Sequence, residues 1–233
     1  WSWNAGIILY ANRNKLTSLA SGQDRDEGNR WFVGYPIDVI YDYEYEGLWN
    51  ESDIVKGPDG KTNLEALVKG GNIGMIKVKY TGDYDANGIP TRQIGPEDRQ
   101  IISMEPKLMG GFNTTVGYKN FDLTVIGAFQ IGGKLISAIH SSNGYLNMLT
   151  GRRNNLDVDY WTEENTGAKY PKPGGIQDGD NPKFGSTLGY FDAGYLKIRA
   201  ITLGYNFDKL KAIKDLGISR LRLYATVQNP FVL

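Results

Sequence analysis

The sequence has no cysteine and a single histidine, His140, among 233 residues. Without Cys there are no disulfide staples, thiolate metal sites or Cys nucleophiles, which suits a reducing compartment or a bacterial envelope protein that dispenses with disulfides. One His leaves nothing for an HExxH helix, and a Ser-His-Asp triad would have to use His140, with no Gly-x-Ser-x-Gly elbow to serve it. An excess of either charge is missing too, since 26 Lys and Arg balance 26 Asp and Glu. Nucleic-acid binding needs clustered cations to neutralise phosphates, so no nucleic-acid partner is expected. Walker A and dinucleotide-binding fingerprints are lacking. No run of about 18 apolar residues occurs, and the Trp1-Ser-Trp start has no basic region with an apolar stretch behind it. That excludes a membrane-crossing helix but says nothing of β-strands, which span in about ten residues of alternating polarity.

What the chain has in quantity is glycine (30), tyrosine (15) and proline (9), with little long helical periodicity. It reads as β-rich. The clearest hairpin joins Phe112-Asn-Thr-Thr-Val-Gly-Tyr118 to Phe121-Asp-Leu-Thr-Val-Ile-Gly-Ala-Phe-Gln-Ile131 across Lys119-Asn120. Phe121, Leu123, Val125, Phe129 and Ile131 share one face of the second strand with Gly127. Asp122, Thr124, Ala128 and Gln130 take the other, with Ile126 as the exception. Either a sheet wetted on one side or a barrel with lipid outside and a wet lumen inside produces such a pattern. Phe112, Tyr118, Phe121 and Phe129 read as standing near strand ends, where a lipid-facing strand carries its aromatic girdle.

A later pair repeats the pattern. In residues 195–207, Leu203, Tyr205 and Phe207 share one face while Leu196 and Ile198 have the opposite parity, which predicts a bulge or an upper part that packs differently. A short helical turn is expected within 208–216. In residues 218–229, Leu221, Leu223, Ala225 and Val227 alternate with Arg220, Arg222, Tyr224, Thr226 and Gln228, as the wall of a water-filled barrel requires. The stretch 132–194 has no convincing periodic element. A connection of that size is uncommon in a compact domain but ordinary as an outward loop of an outer-membrane barrel. Earlier, 3–11 reads as a strand, 20–30 as a polar loop, 31–45 as an aromatic β run and 63–69 as a short helix. The first residue is not Met and the last follows directly on a strand-like run, so the chain reads as a piece of something longer.

Two clusters have possible chemistry. Asp83-Tyr-Asp-Ala-Asn-Gly88 matches the first half of an EF-hand-type loop, in which oxygen ligands at alternate positions surround a hard cation and Gly permits a sharp turn. A carboxylate is expected six residues past Gly88, where Ile94 stands instead. Treating Ile89-Pro-Thr-Arg92 as a four-residue insertion restores Ile94 and Asp98 to their places. Asp83, Asp85, Asn87 and Asp98 are then the candidate calcium ligands. The same residues also suit a metal-free turn held by side-chain-to-backbone hydrogen bonds. Asp157-Val-Asp-Tyr-Trp-Thr-Glu-Glu164 could present a glycosidase carboxylate pair beside a sugar-stacking aromatic, or simply an acidic loop anchored by Trp161. No catalytic residue is assigned.

Several further motifs occur in one order: Val33-Gly-Tyr-Pro-Ile-Asp-Val-Ile-Tyr41 before Glu46-Gly-Leu-Trp49; Gly82-Asp-Tyr-Asp-Ala-Asn-Gly88 with Glu97-Asp-Arg-Gln-Ile-Ile102; Pro106-Lys-Leu-Met-Gly-Gly-Phe112; Tyr118-Lys-Asn-Phe-Asp-Leu123; Tyr160-Trp-Thr-Glu-Glu-Asn165 with Tyr170-Pro171; and Tyr195-Leu-Lys-Ile-Arg-Ala-Ile-Thr-Leu-Gly-Tyr205 with Ile218-Ser-Arg-Leu-Arg-Leu-Tyr224 and Gln228-Asn229. In that order they resemble the C-terminal half of SusC/RagA-type TonB-linked outer-membrane transporters. The resemblance implies an all-β fold, a large antiparallel transmembrane barrel closed around an N-terminal plug in the outer membrane of a Gram-negative bacterium. It further implies opening by the TonB complex and a SusD-like lipoprotein lid that delivers oligosaccharide or peptide, with transport rather than enzymatic turnover as the activity. About 22 strands of roughly ten residues each take some 220 residues before any loop. Residues 1–233 are therefore expected to form part of one barrel domain, with plug and final strands outside it. Asn87 stands where the family pattern has a third Asp, and no substrate-binding residue carries over. The competing class is a soluble extracellular carbohydrate-binding β-sandwich, which is also Tyr/Trp-rich and neutral.

Overall fold

The computed structural model describes residues 1–20, 22–137, 140, 157–172, 184, 186–208 and 210–233. Among these the strands are β1 (Ser2–Tyr10), β2 (Arg25–Asp26), β3 (Trp31–Phe32), β4 (Val39–Tyr43), β5 (Tyr45–Leu48), β6 (Ile76–Val78), β7 (Arg99–Ser103), β8 (Pro106–Tyr118), β9 (Phe121–Gly132), β10 (Lys134–Ile136), β11 (Tyr190–Asp192), β12 (Tyr195–Asn206) and β13 (Arg222–Val232). Two helices of five residues each, α1 (Asn63–Leu67) and α2 (Lys211–Asp215), complete the elements used below. The predicted loop segments Ser141-Ser-Asn-Gly, Gly151-Arg-Arg-Asn-Asn and Asp178-Gly-Asp-Asn-Pro lie outside the described residues. The chain divides into two compact units, one of residues 1–14, 105–134 and 192–233, the other of residues 15–104 and 135–191.

The first unit is a single antiparallel sheet in the order β1-β8-β9-β12-β13, so every strand lies beside its predecessor among the five. Strands of 9 to 13 residues match the length a barrel strand needs to cross hydrocarbon. The chain leaves this sheet after β1 and β9, and re-enters it at β8 and β12, at one end. Both short reversals, 119–120 and 207–221, fall at the other. The tight reversal works because Lys119 adopts a left-handed conformation, φ 54°, as a two-residue hairpin turn requires.

Register sorts the side chains into alternating rows. Trp3, Val116, Leu123, Leu203 and Ala225 face one another across five strands; the next row is Asn4, Thr115, Thr124, Thr202 and Thr226. Beyond it come Ala5, Thr114, Val125, Ile201 and Val227, again on the apolar face. The predicted parity switch in β12 is a bulge. Register against both neighbours shifts between Ile198 and Ala200, which returns Leu196 and Ile198 to the face of Ile201 and Leu203. On the apolar face, the one hydroxyl in the Val125 row, Thr114, accepts a 2.9 Å hydrogen bond from Trp3 Nε1.

No second layer closes over this face within the unit. Among the described residues, Ile198 is the unit's one buried hydrophobic side chain, whereas Ile7, Leu203 and Val227 are 66%, 52% and 58% exposed. Tyr118 and Phe121 do stand at the short-turn end, in a cluster with Trp1 and Tyr205 at centroid distances of 4.4 and 4.6 Å. Phe129 stands near the other end, opposite Leu196 at the start of β12. Phe112 departs from the expectation: because β8 begins at Pro106, it is central and lies over Gly127, while Phe129 lies over Gly110, and a Cβ on either glycine would run into the facing ring.

The second unit holds the conventional core. Leu48, Ile76, Val78, Trp161, Tyr170 and Leu188 form one buried cluster, and Trp49, Leu64, Leu67, Val68 and Met75 a second. The ribbon β5-β6 contributes Leu48, Ile76 and Val78 to the first, and β2-β3 and β4-β7 are two further short ribbons of the chain. Helix α1 starts at a capping box: Thr62 Oγ1 accepts from Glu65 N at 3.1 Å, and Glu65 Oε2 accepts from Thr62 N at 2.9 Å. Leu64 and Leu67 then point into the second cluster.

Candidate functional site

The polar face of the sheet is built by β8, β9, β12 and β13. Thr115 and Thr124 hydroxyls meet at 2.9 Å, as do those of Thr202 and Thr226, so neighbouring strands satisfy each other's polar groups along the row. Arg222 and Gln228, expected on this face, are both there by register, opposite Asn206 and Ala200. Arg220 precedes β13 and lies outside the sheet. The partner of Arg222 was not evident in the sequence. It is Asp122, about 100 residues earlier, whose Oδ1 accepts from Arg222 Nε at 3.1 Å and from Asn206 Nδ2 at 3.4 Å.

In the second unit, Asp83, Asp85 and Asn87 share one turn. Asp85 Oδ1 accepts from the N–H groups of Asn87 and Ile89, each at 2.8 Å, and these bonds, that of Ile89 foremost, hold its carboxyl below the usual carboxylate range. Gly88 takes φ +76°, the left-handed geometry the turn demands. Asp98 is elsewhere engaged. Its side chain is fully buried, and Arg92 grips both oxygens, Nη1 to Oδ2 at 2.6 Å and Nη2 to Oδ1 at 2.9 Å. Thr81 N and Oγ1 donate to Oδ1 at 2.7 and 2.8 Å, and Gly95 N to Oδ2 at 2.9 Å. Burial opposes ionisation of Asp98, but these donors outweigh it and hold the carboxyl far below the usual range. Of the four residues expected as calcium ligands, Asp83, Asp85 and Asn87 thus share the turn, while the Asp98 carboxylate is engaged by Arg92, Thr81 and Gly95.

Trp161 is a core residue. Its Nε1 donates to Asn50 Oδ1 at 2.8 Å, its N to Tyr170 O at 2.8 Å, and its ring lies so close to Gly74 that a Cβ there would collide with it. The neighbouring Asp159 is tied to Asn165 Nδ2 at 2.7 Å. A pocket of about 530 Å³ opens beside the buried indole, bordered by Asn50, Glu51, Glu163, Thr166 and Lys172. His140 accepts or donates one local bond, Nδ1 to Ser137 Oγ at 2.8 Å, and packs on Phe191. Neither arrangement assembles a nucleophile, base and orienting group.

No protein-family model matches the chain. TonB-dependent receptor P3 of Formosa agariphila is 25% identical over 243 aligned positions, covering 98% of this chain and 22% of that protein. TonB-dependent receptor SusC of Bacteroides thetaiotaomicron is 26% identical over 226 positions, covering 84% of this chain and 21% of SusC. The chain thus spans about a fifth of the length of these curated relatives. The RagAB peptide transporter superposes with a TM-score of 0.63 at 21% identity, over 99% of this chain and 24% of that one. The fold is accordingly a largely antiparallel β structure matching part of the RagA structures. Distant homology over most of its length links the chain to the SusC/RagA kind of TonB-dependent outer-membrane receptor.

Proposed function

We propose that this chain supplies barrel wall and outward loops to a SusC-like TonB-dependent importer, whose complete barrel has about 22 strands. In this reading a SusD-like lipoprotein covers the outer mouth, the TonB complex drives the opening of the plug, and an oligosaccharide or peptide passes along the polar rows of Thr115, Thr202 and Gln228. One observation carries the reading: a single-layer sheet with rows of exposed aliphatics on one face and rows of hydroxyl, amide and charged groups on the other. A wall between hydrocarbon and water needs both faces so arranged. The carbohydrate-binding β-sandwich would need a second sheet against the apolar face, and the first unit supplies none. Calcium has no part in this reading.

Single Cys substitutions in a background free of other Cys test this reading. Thr226→Cys and Gln228→Cys in outer membranes are expected to react with a membrane-impermeant thiol reagent, and Leu223→Cys and Val227→Cys to resist it. The reverse labelling pattern would sink the proposal.

A further inference from the structure

We propose that the 80–98 segment carries its own cation, the Arg92 guanidinium, in the role that calcium would otherwise play. The four residues that interrupt the calcium-type spacing, Ile89-Pro-Thr-Arg92, are the ones that deliver this group. Tyr84 and Pro90 bridge as an antiparallel pair, and Asp85 N donates to Ile89 O at 2.9 Å, so the insertion folds back as a small hairpin. That last bond turns the main-chain carbonyl at the seventh loop position, which a calcium loop directs at the ion, toward Asp85 N. At the hairpin's end Arg92 lies over the Tyr80 ring at 4.8 Å, and its N–H donates to Tyr80 Oη at 3.2 Å. Tyr80 Oη in turn donates to Asp83 O at 3.2 Å, which joins the turn to the ion pair.

The acceptors around Arg92 converge on its guanidinium. Its Nη1 reaches Glu97 Oε1 at 3.0 Å as well as Asp98 Oδ2, and donates to Gln93 O at 3.0 Å. A planar fork suits a carboxylate gripped on both oxygens, and it needs no dehydration of a divalent ion. With five donors already on Asp98, a calcium ion would have to displace the Arg92 fork from the buried carboxylate. The segment is thus organised without metal.

Two measurements test this on the intact protein in detergent. Amide hydrogen exchange of residues 80–104 is expected to be the same in calcium and in chelator, and to run about tenfold faster or more in Arg92→Gln, whose buried carboxylate has lost its counter-ion. Calorimetric titration of the wild type with calcium is expected to give no saturable heat. Calcium-dependent protection in the wild type, a saturable heat abolished by Asp98→Asn, or wild-type exchange in Arg92→Gln would each overturn the proposal. Should Arg92→Gln fail to assemble, the two wild-type measurements decide alone.

Discussion

Arg222 on β13 reaches Asp122 on β9 across the intervening strand because Gly204 lies beneath the pair; a Cβ at that position would strike both the guanidinium and the carboxylate. The pair's setting determines what it contributes. Beside water, exposed ion pairs stabilise by roughly 0.2–1 kcal/mol, whereas stripping one partner from a dry pair costs about 3–5 kcal/mol. Asp122→Ala is therefore expected to lower the unfolding free energy of the membrane-inserted protein by no more than about 1 kcal/mol, measured by denaturant titration in vesicles. A loss several times larger would mean that this face is dry.

Adjacent residues on β9 should respond oppositely to the same substitution. Val125 belongs to the aliphatic row with Ile201, and Thr124 to the threonine row with Thr202. Val125→Arg is expected to cost about 2–4 kcal/mol if its row lies near the bilayer midplane, and Thr124→Arg less than about 1 kcal/mol. Folding titrations into lipid vesicles give both values.

Arg199 is the extra residue of the β12 bulge, since Ile198 and Ala200 stand opposite the adjacent Gly127 and Ile126. With the bulge kept, inserting one alanine after Arg199 would carry Leu196 and Ile198 to the threonine face and turn Lys197 toward the aliphatics, because a one-residue slip inverts every side chain beyond it. The expected outcome is failure to reach the folded form that migrates faster in unheated electrophoresis, while Arg199→Ala, which keeps the count, still reaches it.

Alkaline sensitivity should centre on the second unit. Burial pushes the Tyr45 phenol from an ordinary 10.0 up to about 12, and its Oη donates to Lys169 O at 2.7 Å, a bond that only the neutral phenol makes. The unfolded chain ionises this group first. Its stabilising effect is whole below pH 10 and declines as the pH rises toward 12. Proteolysis of the 39–48 region across that range should accelerate less steeply in Tyr45→Phe than in the wild type.

The long strands were legible in the sequence because one face of each is almost purely apolar. β12 was expected over 195–207 and runs Tyr195–Asn206; the first strand, expected over 3–11, runs Ser2–Tyr10. Strand β8 was read six residues short, since Pro106-Lys-Leu-Met-Gly-Gly111 has the composition of a turn; only the tertiary partner Phe129, lying over Gly110, shows why glycine belongs in a strand there. Residues 218–221 were read as strand, but β13 starts at Arg222 and continues through Asn229, where Asn-Pro looks like an ending in sequence and the backbone takes φ 50°. The aromatic run 31–45 broke into Trp31–Phe32 and Val39–Tyr43, with β5 beginning at Tyr45, because its residues pack in several short ribbons rather than one sheet. Arg92 could have been noticed as the only cation inside the acidic stretch 83–98; its grip on Asp98 depends on a hairpin that composition does not announce.

Among the described residues β1 pairs with β8 and β13 with β12, so β1 and β13 are the outermost strands of the sheet. In hydrocarbon an unpaired strand edge leaves backbone groups that each cost several kcal/mol. If the sheet is the barrel wall proposed above, these two strands are the seams at which further strands add, and their register selects which hairpin can do so.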